Sequence, residues 1–333
     1  MLINVAILSF WHVHASDYLR EANGHPDTRV VAIWDEDPER GKQEAEKQGV
    51  TFYESIEDLL ANPDIHGVII VTPTSMHRDV MVAAAKAGKH IFTEKVIADN
   101  IEDTNEIIAT VKQNQVKLTV SLPRLNAAYT LAVQAILDQG LLGELTLVRV
   151  RLSHNGALAG WLPDRFYNLE QCGGGAMIDL GCHPMYLTRL FMGIPESVSA
   201  HYGYVLGKEV EDNAVTILNY KNGGVGIVEA GFVNTHSPFT IEIHGTEGSL
   251  LYGTPEDKLL IKSTRSSTYA DDWTEITDLP PRRITAFEQW VLHIQNNTTA
   301  DENISLAVDL TRLMEASNRS NTLKAPVRID ELG

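Results

Sequence analysis

Asp179 and His183 stand four residues apart, just downstream of the triplet Gly173-Gly174-Gly175. On a helix that spacing puts both side chains on one face, about 5–6 Å apart at Cβ. A carboxylate beside an imidazole is the smallest oriented general base: it fixes the ring tautomer and stabilises the imidazolium. The glycines let the backbone approach a ligand closely and then turn into a helix. The same residues also read as an ordinary helix N-terminus with an incidental polar pair. Pro184 implies a kink, or a first turn that restarts after His183. A second candidate is Glu94-Lys95, which a short strand at His90–Phe92 delivers to the carboxyl edge of a sheet. A lysine there reaches any ligand in the crevice; taken alone it is a surface loop lysine. A third is His12-Val13-His14, an H-x-H like that of metal-dependent barrel hydrolases. Such a barrel needs eight strand–helix units, which the second half of the chain does not supply, so no metal site is expected.

Length and charge bound what these groups can serve. The 333 residues suit two domains, each with its own core. A net charge of −17 argues against nucleic acid or an anionic membrane as partner. No apolar run approaches a membrane span, and the start Met1-Leu2-Ile3-Asn4-Val5 reads as a strand rather than a basic leader. Cys172 and Cys182 are too few for a disulfide framework or a zinc cage, so the reducing cytoplasm is the expected compartment.

Over the first 120 residues, apolar runs alternate with amphipathic segments. Ile3–Leu8, Val30–Trp34, Val68–Val71, His90–Phe92 and Leu118–Val120 read as strands; 13–22, 38–48, 76–87 and 102–114 read as helices. Strands alternating with helices predict a parallel, doubly wound sheet with its ligand at the carboxyl ends of the strands. The first turn, Ser9-Phe10-Trp11-His12-Val13-His14, occupies the place of a G-x-G-x-x-G fingerprint. Its glycine positions hold Ser9, Trp11 and His14. Either the loop takes another path or no dinucleotide binds; helix-terminal amides can hold a phosphate without glycine, with His12 and His14 adding hydrogen bonds. Asp35, at the end of the second strand, stands where an acidic residue accepts the adenosine ribose hydroxyls. Together with Glu36 and Asp37 it would repel a 2′-phosphate, favouring NAD over NADP. The alternative is an acidic helix cap before Pro38.

These features in this order resemble the glucose–fructose oxidoreductase, inositol dehydrogenase and rhizopine-catabolism family (Gfo/Idh/MocA). The marks are Thr72-Pro73 with His77, Ala87-Gly88-Lys89-His90 running into Glu94-Lys95, Gly173-Gly174-Gly175 with Asp179 and His183, and Ile243-His244-Gly245-Thr246-Glu247-Gly248. The resemblance implies an N-terminal Rossmann domain and a C-terminal α+β domain on a large, mostly antiparallel sheet. It implies NAD- or NADP-dependent oxidation or reduction of sugars, polyols and related compounds. Lys95 matches the lysine of the family's E-K-P motif, and Asp179 and His183 match its catalytic D-x-x-x-H pair. Val96 replaces the motif's proline, which in the family often forms a cis peptide that aims the lysine. Tyr186 stands where many members carry a second acidic substrate ligand. The expected cofactor-binding set is Ser9, Phe10, Trp11, His12, Asp35, Thr72, Pro73, His77, Glu94 and Lys95.

After Pro123 the pattern changes. A helix at 126–138 precedes a long alternating strand, Glu144 to Ser153, and further strands fit 197–206, 213–220, 225–234, 239–244 and 257–263. Strands in succession predict an antiparallel sheet, covered on one side by helices at 126–138 and 176–192. Two late helices are expected near 284–296 and 304–319. The boundary falls at 122: 1–122 binds dinucleotide, and 123–333 binds substrate and oligomerises. The uncovered face of the sheet is the expected homodimer or homotetramer surface. The loop 153–171 supplies His154 and Tyr167 as substrate ligands, and the domain junction supplies Arg124 and Asn126, with Tyr186 added by the resemblance.

The chemistry expected is hydride transfer between a nicotinamide and a secondary alcohol or ketone. His183 is the base, Asp179 its orienter, and Lys95, converging from the other lobe, stabilises alkoxide character. The rival is a non-catalytic regulatory relative that binds a dinucleotide or another ligand; the missing glycines favour it, and the acid–base set opposes it.

Overall fold

The computed structural model describes residues 2–254 and 256–332. The chain forms two compact units, one of Met1–Leu122 with Ile284–Val308, the other of Pro123–Arg283 with Asp309–Gly333.

In the first unit, six strands lie in the order β3-β2-β1-β4-β5-β6. They are β1 (Ile3–Leu8), β2 (Thr28–Trp34), β3 (Thr51–Phe52), β4 (Gly67–Ile70), β5 (His90–Thr93) and β6 (Leu118–Val120), all parallel. The central strands are unbroken apolar runs because helices cover both faces; Val5, Ala6, Ile7, Leu8, Val68, Ile69 and Ile70 are fully buried. Register aligns Leu8 with Trp34 and Ile70, and Ile70 with Thr93. The residues that follow these four strand ends, Ser9, Asp35, Val71-Thr72 and Glu94, therefore emerge along one edge. Helices at Ala15–Gly24, Pro38–Gln48, His77–Lys86 and Ile101–Gln113 match the expected ones within two residues or so. The cap before Pro38 is Asp37, whose side chain accepts the amides of Glu39 and Arg40, so Asp35 is not needed for it. The two-residue β3 and the short helix Ile56–Ala61 are additions with too little periodicity to read.

The expected second domain, 123–333, is not continuous. Ala286, Phe287, Trp290 and Val291 of the helix Ala286–Asn296 share one buried cluster with Ile3, Val5, Ile69 and Phe92. Gly67 makes room for this helix: a Cβ there would stand 2.8 Å from the Trp290 ring. Asn303 closes the open edge at β6, its side chain accepting from Val120 N and donating to Val120 O, each at 2.8 Å. Both backbone polar groups of Val120 are thereby satisfied.

The second unit is built on a nine-stranded sheet in the order β14-β13-β12-β11-β7-β10-β9-β8-β15. Its strands are β7 (Leu145–Ser153), β8 (Ser197–Gly203), β9 (Asn213–Asn219), β10 (Val225–Gly231), β11 (Thr240–Gly245), β12 (Gly248–Tyr252), β13 (Leu259–Ser263), β14 (Thr274–Glu275) and β15 (Val327–Arg328). All pairings are antiparallel except β7 with β10. Alternate residues of β9, β10 and β13 are buried, the pattern of a sheet covered on one face. The segment expected as one helix at 176–192 has two parts. A π-helical turn spans Met177–Gly181, and an α-helix runs Cys182–Met192. Pro184 explains the change: it has no N–H for the ladder, and its ring would crowd the carbonyl of Leu180 in a regular α-turn. Widening the preceding turn removes that clash and leaves Pro184 within the first turn of the α-helix. The late helix is longer than expected, Asp301–Leu323, and Ala307, Leu310, Met314 and Ser317 form its buried face. No helix among the described residues is long and apolar enough to cross a membrane.

Candidate active site

In the first unit, the turn after β1 keeps the shape of a glycine turn without the glycine. Ser9 has φ 81°, the left-handed conformation that favours glycine and costs another residue about 1 kcal/mol or more. The turn is tied down by local bonds. Ser9 Oγ accepts Trp11 N at 2.9 Å and Asp35 Oδ2 accepts Phe10 N at 2.8 Å. The Phe10 ring belongs to the apolar core and Trp11 is also buried. Of these two residues, both expected at the cofactor, the side chains face inward.

Asp35 is 2% exposed. Besides Phe10 N it holds the Arg40 guanidinium, with Nε 2.9 Å from Oδ2 and Nη2 2.6 Å from Oδ1. Arg40 also reaches Glu36 at 2.6 Å. Burial pushes the Glu36 carboxyl up, and the neighbouring Asp35 charge adds to that. The carboxylate expected at the ribose is thus already committed to Arg40, a partner that the sequence reading did not assign.

Glu94 is the most heavily engaged group of this edge. Its Oε1 lies 2.7 Å from His14 Nδ1 and 3.7 Å from His12 Nδ1, and it accepts the Tyr18 hydroxyl; Oε2 accepts Lys95 N at 3.0 Å. Burial alone would raise its carboxyl, but His12, His14 and Lys95 outweigh burial and hold it far below the usual carboxylate range. Tyr18 Oη also lies 2.8 Å from Ser121 Oγ, and burial, then Glu94, raise the phenol's pKa. Lys95 is buried as well, and the Lys95–Val96 peptide is cis.

His77, expected to touch the cofactor, has both ring nitrogens on backbone. Nδ1 faces the carbonyls of Val96 at 2.8 Å and Ile97 at 3.2 Å, and Nε2 faces that of Thr72 at 3.2 Å. Burial lowers its pKa. It braces the end of β4 against the segment after Lys95, so its effect on a cofactor is indirect. Thr72 is different: its hydroxyl is buried with no hydrogen-bond partner among the described residues. An orphaned hydroxyl at the carboxyl edge fits a dinucleotide, as does a first turn that retains the glycine conformation.

In the second unit, the glycine triplet is shaped by Glu211, which the sequence reading did not single out. Glu211 Oε1 accepts Met177 N at 2.8 Å, and both carboxylate oxygens lie 3.0 Å from Gly175 N. A Cβ on Gly175 would meet Glu211 O at 2.1 Å. These bonds satisfy the first amides of the π turn that carries Asp179 and leads into the helix of His183. Burial pushes the Glu211 carboxyl up to about 7, against the pull of its amide donors.

His183 is buried, and its Nδ1 lies 3.3 Å from Tyr186 Oη. Tyr186 is 0% exposed, and its oxygen accepts Arg124 N at 3.0 Å. Expected as a substrate ligand, Tyr186 instead contacts His183 from within the core. Arg124 lies over the Phe239 ring at 3.9 Å and donates to Tyr129 Oη at 3.0 Å. Asn126 is buried, its carbonyl accepting Arg283 N at 3.0 Å. His154 stacks on Phe232 at 5.3 Å, and its Nδ1 accepts Gly156 N. Burial lowers its pKa while Asp179 raises it, which ties these two groups electrostatically. Tyr167 lies under the Lys208 ammonium at 4.9 Å.

Comparison with known proteins covers both units. Residues 3–122 match the family model described as "Oxidoreductase family, NAD-binding Rossmann fold", and residues 130–251 match "GFO/IDH/MocA C-terminal domain". Levoglucosan dehydrogenase from Pseudarthrobacter phenanthrenivorans is 32% identical over 266 residues, 68% of this chain and 65% of that one. The scyllo-inositol 2-dehydrogenase (NAD(+)) of Bacillus subtilis is 29% identical over 323 residues, 92% and 90% of the two chains. A solved levoglucosan dehydrogenase in complex with NADH has a TM-score of 0.84 at 20% identity over 99% of each chain, a likeness of fold.

Proposed function

The chain belongs to the Gfo/Idh/MocA oxidoreductase family, and from that premise we propose that it transfers a hydride between NAD and a secondary alcohol or ketone of a sugar, polyol or related small molecule. Relatives named for levoglucosan and scyllo-inositol support that substrate class. NAD, when bound, supplies the hydride acceptor. The Thr72 hydroxyl and the Asp35 region would hold it; the amides of Ser9, Phe10, Trp11, His12 and His14 are already bonded within the protein and shape the turn instead. Asp35, Glu36 and Asp37 disfavour a 2′-phosphate, since Arg40 is spent on the first two.

An alcohol releases hydride only as its proton leaves, so the hydroxyl needs a base. His183 takes that proton. In the tautomer that carries its proton on Nδ1, 3.3 Å from Tyr186 Oη, the lone pair of Nε2 is the basic position. Asp179 stabilises the imidazolium that forms. The Lys95 ammonium is the proposed donor that stabilises alkoxide character. Arg124, Asn126, His154 and Tyr167 are the proposed substrate-facing set, with Tyr186 reassigned to hold His183.

The observation that carries this reading is the hold on His183: an imidazole fixed by a buried hydroxyl, on a helix whose entry is pinned by Glu211. A second reading, a non-catalytic dinucleotide- or ligand-binding regulator, is favoured by the absence of glycine at positions 9, 11 and 14. Calorimetric titration with NADH and NADPH, followed by turnover over a panel of sugars and polyols, separates the two. NADH binding with turnover that falls at least about 10²-fold in His183→Ala supports the enzyme. Binding without turnover over the whole panel favours the regulator, and binding of neither dinucleotide defeats the nicotinamide reading. We also propose a homodimer or homotetramer through the uncovered sheet face, to be checked by light scattering on the purified protein. The proposed compartment is the cytoplasm, where the buried thiols of Cys172 and Cys182 stay reduced.

A further inference from the structure

We propose that His12, His14 and Glu94 form a binding site for a divalent transition-metal ion. Each residue offers one ligand atom, and the three atoms lie within 4.8 Å of one another. The H-x-H motif lacked a third ligand in the sequence; the fold brings one from 80 positions downstream. The turn after β1 carries both histidines, and Glu94 follows β5, two strands away in the sheet.

The arrangement calls for positive charge at its centre. His12 Nδ1 accepts His14 N at 3.3 Å, a long bond that a metal ion would replace. The same nitrogen stands 3.7 Å from Glu94 Oε1, itself an acceptor. The two imidazole rings are 4.6 Å apart between centroids, their planes 60° apart. A proton serves the His14–Glu94 pair at 2.7 Å; a metal ion serves all three groups.

The donor chemistry selects the class of ion. Two imidazoles and one carboxylate suit zinc, cobalt, manganese or ferrous iron, and not calcium, which takes oxygen ligands. Ligands about 2.1 Å from a tetrahedral ion stand about 3.4 Å apart. The two contacts to Glu94, at 2.7 and 3.7 Å, bracket that value, and the ligand atoms of the two imidazoles, within 4.8 Å of each other, close on an ion by side-chain rotation. The outer contacts that such a site needs are present. Tyr18 donates to the ligating oxygen, and Lys95 N donates to the other one. His12 and Glu94 are buried, while the His14 side chain is 41% exposed and gives the ion a way in.

The test uses the full chain, treated with chelator and kept free of dinucleotide, so that its result is independent of the nicotinamide reading. Cobalt(II) is titrated while visible absorption is followed, and zinc is then added in competition. One equivalent of cobalt should bind with d–d bands of a low-symmetry site, and zinc should displace it. His14→Ala, a half-exposed position that should leave the fold intact by circular dichroism, should weaken binding at least tenfold, and His12→Ala should do the same. No saturable cobalt or zinc uptake overturns the site. So does one-equivalent uptake that is unchanged in folded His14→Ala, which would place the ion elsewhere. Either failure leaves NADH binding to be judged on its own titration.

Discussion

Glu211 holds the amide of Gly175 from both carboxylate oxygens, each 3.0 Å from the nitrogen. The backbone closes on itself at this point as well: Ala176 N donates to Glu211 O at 2.8 Å. Gly175 is therefore needed for close approach to another stretch of its own chain, whatever ligand binds nearby. Gly175→Ala would place a methyl 2.1 Å from Glu211 O and 2.9 Å from Val210 Cβ. The first obstacle is backbone, which cannot rotate away. A loss of about 1–3 kcal/mol or more is expected, read as a lower midpoint in urea denaturation. Turnover should fall too, because the strained segment leads directly into Asp179 and His183.

The same contact makes stability depend on pH. The Glu211 carboxyl sits at about 7 in the folded chain, against its ordinary value of 4.5. Between those values the folded state keeps the proton and the unfolded state has released it. The group therefore contributes a loss of stability that is absent below pH 4.5, grows as pH rises and is complete above 7. The ceiling is on the order of 3 kcal/mol. Glu211→Gln cannot titrate. Urea melts of both proteins at pH 5 and pH 8 should show the wild type losing stability relative to the variant by a few kcal/mol. A difference that stays constant across this range would rule out the raised carboxyl.

Tyr186→Phe isolates the hold on His183. The variant keeps the buried ring and loses the oxygen that accepts Arg124 N and contacts His183 Nδ1. The unsatisfied amide should cost about 1–3 kcal/mol in stability. A purely structural role would end there. A positioning role predicts in addition that kcat falls while KM changes little, and that the acidic limb of the kcat pH profile, set by His183 as base, moves. An unaltered profile in the folded variant would limit Tyr186 to packing.

How much of this was readable in advance depends on the range of the interaction that decides each feature. The strands of the first unit were legible because burial on both faces leaves uninterrupted apolar runs such as Val68–Val71. Helix entries were legible where caps are local, as at Asp37-Pro38. The helix Ala286–Asn296 was legible as a helix, but not as part of the first unit. Its placement rests on Trp290 meeting Gly67 and on Asn303 meeting Val120, contacts that carry no local periodicity. The candidate site divides in the same way. Asp179 and His183 declare themselves by spacing, whereas Glu211, Arg40 and Tyr18 act only through partners distant in sequence or through burial. The one usable signal for Tyr18 was its place four residues after His14, on the same face of the opening helix.

Ser9 offers an unusual ordering of substitutions. Ser9→Gly relieves the left-handed backbone at φ 81° but loses the bond from Trp11 N. Strain relief of about 1–2 kcal/mol is offset by the lost bond, about 0.5–1.5 kcal/mol, and by the greater unfolded-chain freedom of glycine. Ser9→Ala loses the bond and keeps the strain. Glycine should therefore be better tolerated than alanine, by about 1 kcal/mol, in parallel thermal and urea melts. If alanine is the more stable, the first turn does not hold the glycine conformation in solution.

Thr72→Val separates what the free protein needs from what the cofactor needs. The two side chains have nearly the same shape, and the Thr72 hydroxyl has no partner among the described residues. In the free protein, replacing an unsatisfied buried hydroxyl with a methyl removes a desolvated polar group and breaks no bond. Stability should be unchanged or raised by up to about 1 kcal/mol. If that hydroxyl meets the dinucleotide, its loss should weaken NADH binding roughly five- to tenfold, the size of one hydrogen bond. Thermal melts of the free protein and calorimetric titration with NADH give the two readouts from one preparation. Unchanged stability with weakened binding assigns the hydroxyl to the cofactor. Unchanged affinity removes Thr72 from the cofactor site, and a large loss of stability would mean that the hydroxyl already has a partner in the free chain.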